Sequence, residues 1–367
     1  MNLLILLIGG NPIANYALIK YFNDSKDLTI PSYDKVVLIY TKQTLHVSKN
    51  IKSLNQDISF IDINLKESQR NLKEVEAIIS DKLEDLKYIS SIHLNYTGGT
   101  KSMSIGSFLA VENYAKQTEK IYSDISPKDY KLTLSDGTQY PESDSISSKI
   151  QIPMEDFCLL HGLTQPKLQR EPSEFYSEDF CLFLLDKCDK HEKEFYEDLW
   201  DKKDADKMAL QKSVENYVDV QEISNKKLDK LKKFVQGVWL EEYLFSLLDE
   251  LKDELPITDI AHNIRVKKGE KEFEVDVVAI LGYKSFLFSC TTGKDAKIKE
   301  KAFEANNRSK DLFGIAGKSV SISLADKVRV KGVQEDMKEI EKNFFAFGID
   351  IVREKEQFQS KLREILQ

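Results

Sequence analysis

The sequence predicts a two-domain α/β protein, and three observations carry that expectation. Its 367 residues exceed the roughly 100 to 200 that one core usually organises. Short apolar runs alternate with helical periodicity from the N-terminus to about residue 125, and a second, differently ordered α/β pattern begins near Gly237 after a charged stretch. Hydrophobic residues make up 41% and charged residues 31%, enough apolar material for real cores, which excludes a disordered or collagen-like chain.

In chain order, Leu3 to Ile8, Lys35 to Tyr40, Ile58 to Ile63, Ile89 to Tyr96 and Glu119 to Ser123 are strand-length apolar segments bounded by turn residues. Residues 12–23, 67–87 and 101–116 carry helical periodicity between them. Such a βαβ series implies a mostly parallel sheet covered on both faces, with ligands bound beyond the carboxyl ends of the strands. The loops after Ile8, Tyr40 and Tyr96 are therefore the ones that matter. Residues 130–152 predict an appended hairpin around Ser135-Asp136-Gly137-Thr138. From about 154 to 236 the chain reads as a charged helical connector, whose segment Asp186 to Lys212 is too polar to form a core alone. A helix (238–252), strands (258–267, 273–281, 285–291), a helix (295–313), a strand (318–324) and a mixed tail follow. The expected domains are thus 1–152, 153–236 and 237–367.

The net charge of −8 argues against a protein that coats nucleic acid by bulk electrostatics, while 53 Lys and Arg leave room for a local basic groove. The longest apolar runs fall far short of the ~20 residues that span a bilayer. The N-terminus shows no basic n-region or cleavage site, so a cytoplasmic protein without a membrane partner is expected. Cys158, Cys181, Cys188 and Cys290 have no C-x-x-C spacing, and the five histidines show no paired spacing. Neither set suggests a zinc site, a disulfide framework or more than structural roles.

Two constellations carry chemistry. After the strand that ends at Tyr96 comes Thr97-Gly98-Gly99-Thr100-Lys101-Ser102-Met103, leading into a helix. Its glycines let backbone approach a ligand, Thr100 or Ser102 can cap the helix, and the helix N-terminal amides favour anions such as phosphate. The loop is neither a Walker A nor G-x-G-x-x-G, and a bare tight turn would account for it equally. The first strand ends similarly in Gly9-Gly10-Asn11-Pro12. A strand ending in Asn-x-Thr-Gly-Gly-Thr-Lys, here Asn95 to Lys101, with the Gly-Gly-Asn-Pro turn, resembles a CARF domain of CRISPR-associated effectors over about residues 1–150. The resemblance implies a Rossmann-like fold, a homodimer, and binding of cyclic oligoadenylate, with cyclic tetra-adenylate the expected ring, across the dimer axis. Gly9, Gly10, Asn11, Thr41 and Thr97, Gly98, Gly99, Thr100, Lys101, Ser102 and Met103 would line the pocket.

The second constellation is acidic. Glu241 and Glu242 sit on the opening helix of the second domain, and Glu272, Glu274 and Asp276 share one face of a strand in which Asp276 runs into apolar sequence. A buried acid is costly unless paired or metal-bound, so Asp276 stands out, whereas Glu272 and Glu274 read as solvated. Helix glutamate, strand aspartate and a further strand resemble the PD-(D/E)xK, restriction-endonuclease-like nuclease fold over about residues 237–325. The resemblance implies a metal-dependent endonuclease acting on DNA or RNA, with Glu241 and Asp276 as ligands of Mg2+ or Mn2+ and a lysine assisting the attacking water. The sequence departs from that pattern: Ser289 and Thr291 stand where glutamate and lysine are expected. Either the missing groups have migrated, with Lys294 or Lys297 and Asp295 as substitutes, or catalysis is lost. Alternation turns Cys290 away from the site, against a cysteine nucleophile. The basic helix from Lys294 to Lys310 could track a nucleic-acid backbone or be a solvated face.

Three functions remain open on the sequence: a cyclic-oligoadenylate-gated metal-dependent nuclease; a sensor whose inactive nuclease-like domain recruits nucleic acid or a partner protein; and a dinucleotide-binding enzyme, which the lack of G-x-G-x-x-G disfavours.

Overall fold

The computed structural model describes all residues except 25–31, 127–130, 141–144, 190–213, 219–223, 294–296, 314–316, 339–343 and 367. The chain divides into two compact units, the first formed by Met1–Thr164 with the short segments Leu281–Lys284 and Leu312–Ile315, the second by the rest.

The first unit opens with β1 (Asn2–Leu7), α1 (Ile13–Asp24), β2 (Lys35–Tyr40), α2 (Leu45–Ser53), β3 (Phe60–Asn64), α3 (Leu72–Glu84), β4 (Ser91–Asn95), α4 (Lys101–Asn113) and β5 (Glu119–Ile125). The strands pair in parallel in the order β3-β2-β1-β4-β5, and β6 (Leu132–Leu134) and β7 (Gln139–Tyr140) extend the sheet antiparallel beyond β5. This is the doubly wound arrangement that the sequence predicts, hairpin included. Each central strand is an unbroken apolar run because helices cover both of its faces, and Leu3, Ile5, Val37, Ile39, Ile92 and Leu94 are fully buried. Gly106 lets α3 and α4 approach, for a Cβ there would meet Val75 at 2.7 Å. Two short helices, α5 (Ile146–Lys149) and α6 (Met154–Leu160), close the unit.

The second unit contains β8 (Thr164–Gln169), α7 (Glu178–Asp189), α8 (Asn225–Lys233), a single π-helical turn (Phe234–Val238), α9 (Trp239–Glu250), β9 (Asp259–Lys268), β10 (Lys271–Leu281) and β11 (Lys284–Thr291). It continues with α10 (Lys297–Phe313), β12 (Lys318–Ser323), α11 (Lys327–Lys338), β13 (Phe344–Phe347), α12 (Ile349–Val352) and α13 (Lys355–Leu366). Its sheet runs β13-β12-β11-β10-β9-β8, with β9 and β10 antiparallel and β11 to β13 parallel. Residues 153–236, expected as one helical connector, do not form a body of their own: α6 belongs to the first unit, while β8, α7 and α8 belong to the second. Most of the polar segment Asp186 to Lys212 lies outside the described residues. Helix α9 is buried over most of its surface, with Trp239, Leu240, Tyr243 and Leu244 fully buried. Among the described residues no helix is long and apolar enough to cross a membrane.

Gly98 is required where β4 leaves the first sheet. A Cβ there would stand 1.9 Å from the Leu7 carbonyl oxygen, which also accepts a bond from Asn15 Nδ2 at 2.9 Å. Gly98→Ala must displace backbone and is expected to cost about 1 to 3 kcal/mol in denaturant unfolding. Gly10→Ala, with nothing within 4 Å of its added carbon, is the control and should stay within ~0.5 kcal/mol of wild type.

Candidate functional site

Strand β1 has β2 on one side and β4 on the other, so the strand order of the first sheet reverses there. That is the point at which such sheets hold ligands beyond their carboxyl ends. The two glycine loops meet at this place, since a Cβ on Gly9 would come within 3.1 Å of the Gly99 nitrogen. Gly99 has φ 77°, a left-handed conformation that favours glycine, and turns the chain into α4. Thr100 caps that helix: its Oγ1 accepts the Met103 N–H at 3.3 Å, and Met103 Sδ accepts the Thr100 N–H at 3.5 Å. Methionine thus stands where a capping box usually has Glu or Gln.

These loops enclose a cavity of about 350 Å3, into which Gly9, Gly10, Thr41, Gly99, Thr100 and Met103 converge. Gln43, Thr44 and His46, from the loop after β2 and the first turn of α2, complete its polar lining. The sequence marks that loop by position but offers no glycine or charge signature for the three residues. The remaining expected residues do not line the cavity. Asn11 Oδ1 accepts the Ile13 N–H at 3.1 Å and opens α1, while Thr97 Oγ1 accepts the Ile125 N–H at 2.8 Å. Gly98 packs on Leu7, Ser102 Oγ donates to the Arg70 carbonyl at 3.4 Å, and Lys101 is exposed on the first turn of α4. The contacts of Asn11, Thr97, Gly98 and Ser102 brace the loops.

The second unit gathers the acidic residues. Asp276, on β10, is partly buried, and its Oδ2 accepts the Cys290 N–H at 2.7 Å and the Ser289 hydroxyl at 3.2 Å. Burial pushes its pKa up, opposed by those two bonds and by the nearby cations Lys301 and Arg308. Glu241, on α9, is raised well above the usual carboxylate range, first by burial and then by the charge of Asp276, with Glu274 and Glu242 adding and Lys301 opposing. The two acids therefore feel one another, and each is held in surroundings that disfavour a lone negative charge. Ser289 occupies the position expected for glutamate and spends its hydroxyl on Asp276; Thr291 Oγ1 accepts the Gly293 N–H at 3.2 Å.

Glu242 is a structural acid, fully buried and accepting from both the backbone N–H (3.0 Å) and hydroxyl (2.9 Å) of Ser173. Glu272 and Glu274 are exposed, and Glu274 pairs with Arg265 at 3.2 Å. Burial, then Asp276 and Glu241, hold the Cys290 thiol far above its ordinary pKa, which keeps it protonated and a poor nucleophile. Lys294 and Asp295 lie outside the described residues, as does the side chain of Lys297. The cations that act on Asp276, Lys301 and Arg308, come from further along α10, and the sequence marks them as members of a basic helix without assigning them to this site.

Residues 3–154 match the family model of the Card1 CARF domain. The whole chain is similar to Can2 from Sulfobacillus thermosulfidooxidans, solved in complex with cyclic tetra-adenylate, with TM-score 0.73 and 15% identity over 100% of both chains. It is similar to protein VC1899 from Vibrio cholerae, with TM-score 0.69 and 16% identity over 100% of this chain and 98% of that one. A type III CRISPR defence DNA nuclease activated by cyclic oligoadenylate matches with TM-score 0.51 and 14% identity, over 89% of this chain and 46% of that one. At these identities the likeness shows a shared fold. No curated protein matches the chain.

Proposed function

From the premise that the first unit is a CARF domain of the Card1 type, we propose that the chain is a cyclic-oligoadenylate-gated, metal-dependent nuclease of type III CRISPR defence that works as a homodimer. The single observation that carries the sensing half is the cavity where the two glycine loops meet at the reversal of strand order. Its backbone amides and the N-terminus of α4 suit phosphates, and its threonines and Gln43 suit polar ligand edges. About 350 Å3 is near the lower end of what takes one drug-sized molecule, so a ring of four nucleotides needs the same cavity from a second copy. Ile105 and Phe108, one turn apart on α4, are 49% and 41% exposed, and they are the apolar surface on which that copy would sit.

Calorimetric titration of cyclic tetra-adenylate into the full chain tests this half: binding should saturate at one ring per two chains, and no heat would refute it. Replacing both Ile105 and Phe108 by Glu should turn a dimer into a monomer in sedimentation and weaken ring binding by roughly 100-fold or more, since two charges would be buried unpaired.

For cleavage, Glu241 and Asp276 would hold the metal. Among the described residues no three His, Cys, Asp or Glu side chains converge. Mg2+ commonly takes only one or two carboxylates, its other positions going to water and substrate phosphates, so the pair fits that ion or Mn2+ better than zinc. A dication would supply the positive charge that the two carboxylates lack, and its chemistry would be to lower the pKa of water and offset phosphate charge. The chain's own part is to fix Asp276 through Cys290 N–H and Ser289, and to hold Glu241 on the buried helix α9. The sensor-and-recruiter reading keeps one specific observation in its favour, the hydroxyls of Ser289 and Thr291 where a carboxylate and a cation are expected.

A further inference from the structure

The nuclease reading leaves a deficit at β11, where Thr291 cannot supply a cation. The cleft beside Asp276 shows what stands opposite. Asp276 and Ser289 form one wall, and Glu304 and Arg308 of α10 form the other, around room for about one water molecule (about 10 Å3). Residues 301, 304 and 308 fall on one face of α10 by helical spacing. Lys301 Nζ lies 3.4 Å from Glu304 Oε2 with its side chain 43% exposed, so its ammonium sits beside a carboxylate that lines the cleft. Arg308 is pinned differently, donating to the Glu274 carbonyl and to Glu304. A fixed guanidinium and a tethered ammonium thus flank the same carboxylate on the wall that faces Asp276. The positive charge of Lys301 also favours the ionised forms of Glu241 and Asp276.

We propose that Lys301, held by Glu304, is the cation that faces the scissile phosphate and replaces the lysine missing at Thr291. The proposal rests on the nuclease reading. In the reaction, a water oxygen forms a bond to phosphorus, and the bond from phosphorus to the leaving ester oxygen breaks with its electron pair. Water gives up one proton and the departing oxygen gains one, so one water is consumed and a phosphate monoester and a hydroxyl result. Lys301 offsets the negative charge that gathers on the phosphoryl oxygens as the new bond forms. Its migration from strand to helix requires only that the ammonium reach the same space from the opposite wall.

Two readouts on the whole chain test this: single-turnover cleavage of labelled nucleic acid with activator and Mn2+, and calorimetric titration of Mn2+ at pH 8 without nucleic acid. Lys301→Ala should slow cleavage by roughly 100- to 1000-fold, with Lys301→Arg, which keeps the charge, losing much less. Mn2+ should bind Lys301→Ala roughly tenfold more tightly, because a like charge beside the carboxylates has gone. Unchanged circular dichroism guards against loss of fold. Full cleavage by Lys301→Ala overturns the proposal. So does unchanged Mn2+ affinity, which would put Lys301 out of reach of the acids whatever the activity. A wild type that cleaves nothing with activator and Mn2+ overturns the nuclease reading itself, and is told apart from the other failures by being visible before any substitution is made.

Discussion

Asp276→Asn abolishes metal-dependent cleavage on this account, with a loss of at least ~1000-fold, while the fold becomes more stable without metal. The first effect follows from removing the charge that binds the cation, an interaction worth several kcal/mol in such sites. The second follows from the geometry. Burial makes a charged Asp276 unfavourable without metal, outweighing the bonds from Cys290 and Ser289 and the charges of Lys301 and Arg308, whereas an amide oxygen still accepts from Cys290 N–H and Ser289. Thermal unfolding should therefore show the variant melting above wild type in chelator and failing to gain stability when Mn2+ is added. Glu241→Gln should behave alike with a smaller loss of cleavage. If Asp276→Asn kept its activity, the acid pair would not be the cleavage site.

The second large effect concerns pH. His93 lies in the middle of the first sheet, fully buried, with Nε2 2.6 Å from Ser123 Oγ and Nδ1 on the Tyr33 hydroxyl. Burial pushes its pKa down from the ordinary 6.5 to about 3. Between those values the unfolded chain binds the proton more tightly than the folded one. The stability of the first unit therefore falls as pH drops through 6.5 towards 3, by roughly 1.4 kcal/mol per pH unit. From pH 7 to pH 5 wild type should lose roughly 2 kcal/mol more than His93→Asn, which cannot take up the proton. Hydrogen exchange of the β1 and β4 amides reads this locally. Parallel profiles for the two proteins would show that His93 is not held neutral by the fold.

How much of this is legible in the sequence varies with how local the cause is. Strands β1, β2 and β4 are readable because burial on both faces makes each one an unbroken apolar run, and the β6-β7 turn is readable from Asp136-Gly137, where Gly137 has φ 89°. Strand β8 is not, for Thr164–Gln169 is polar and mostly exposed, and only pairing at the edge of the second sheet makes it a strand. The glycine loops announce themselves, since close backbone approach at Gly98 and a left-handed turn at Gly99 demand that residue type. Gln43 and His46 do not, because their place in the cavity depends on how α2 packs beside β2. Asp276 is conspicuous as an acid running into apolar sequence. Its cationic counterpart is not: spacing shows that Lys301, Glu304 and Arg308 share a helix face, but not which face turns to the sheet. Lys294 is the nearest lysine along the chain, and nearness along the chain is a poor guide to what meets a strand from across a cleft.

Whether a ring activator in the first unit licenses chemistry in the second is read from one set of rates. Purified protein is incubated with Mn2+ and labelled single- and double-stranded DNA and RNA, with and without cyclic tetra-adenylate, and cleavage is followed as the ring is titrated. Little cleavage is expected without the ring, with a rise that saturates at one ring per two chains. Cleavage indifferent to the ring, or tight ring binding with no nucleic acid cut, would contradict it, the second result giving the molecule over to the sensor-and-recruiter reading.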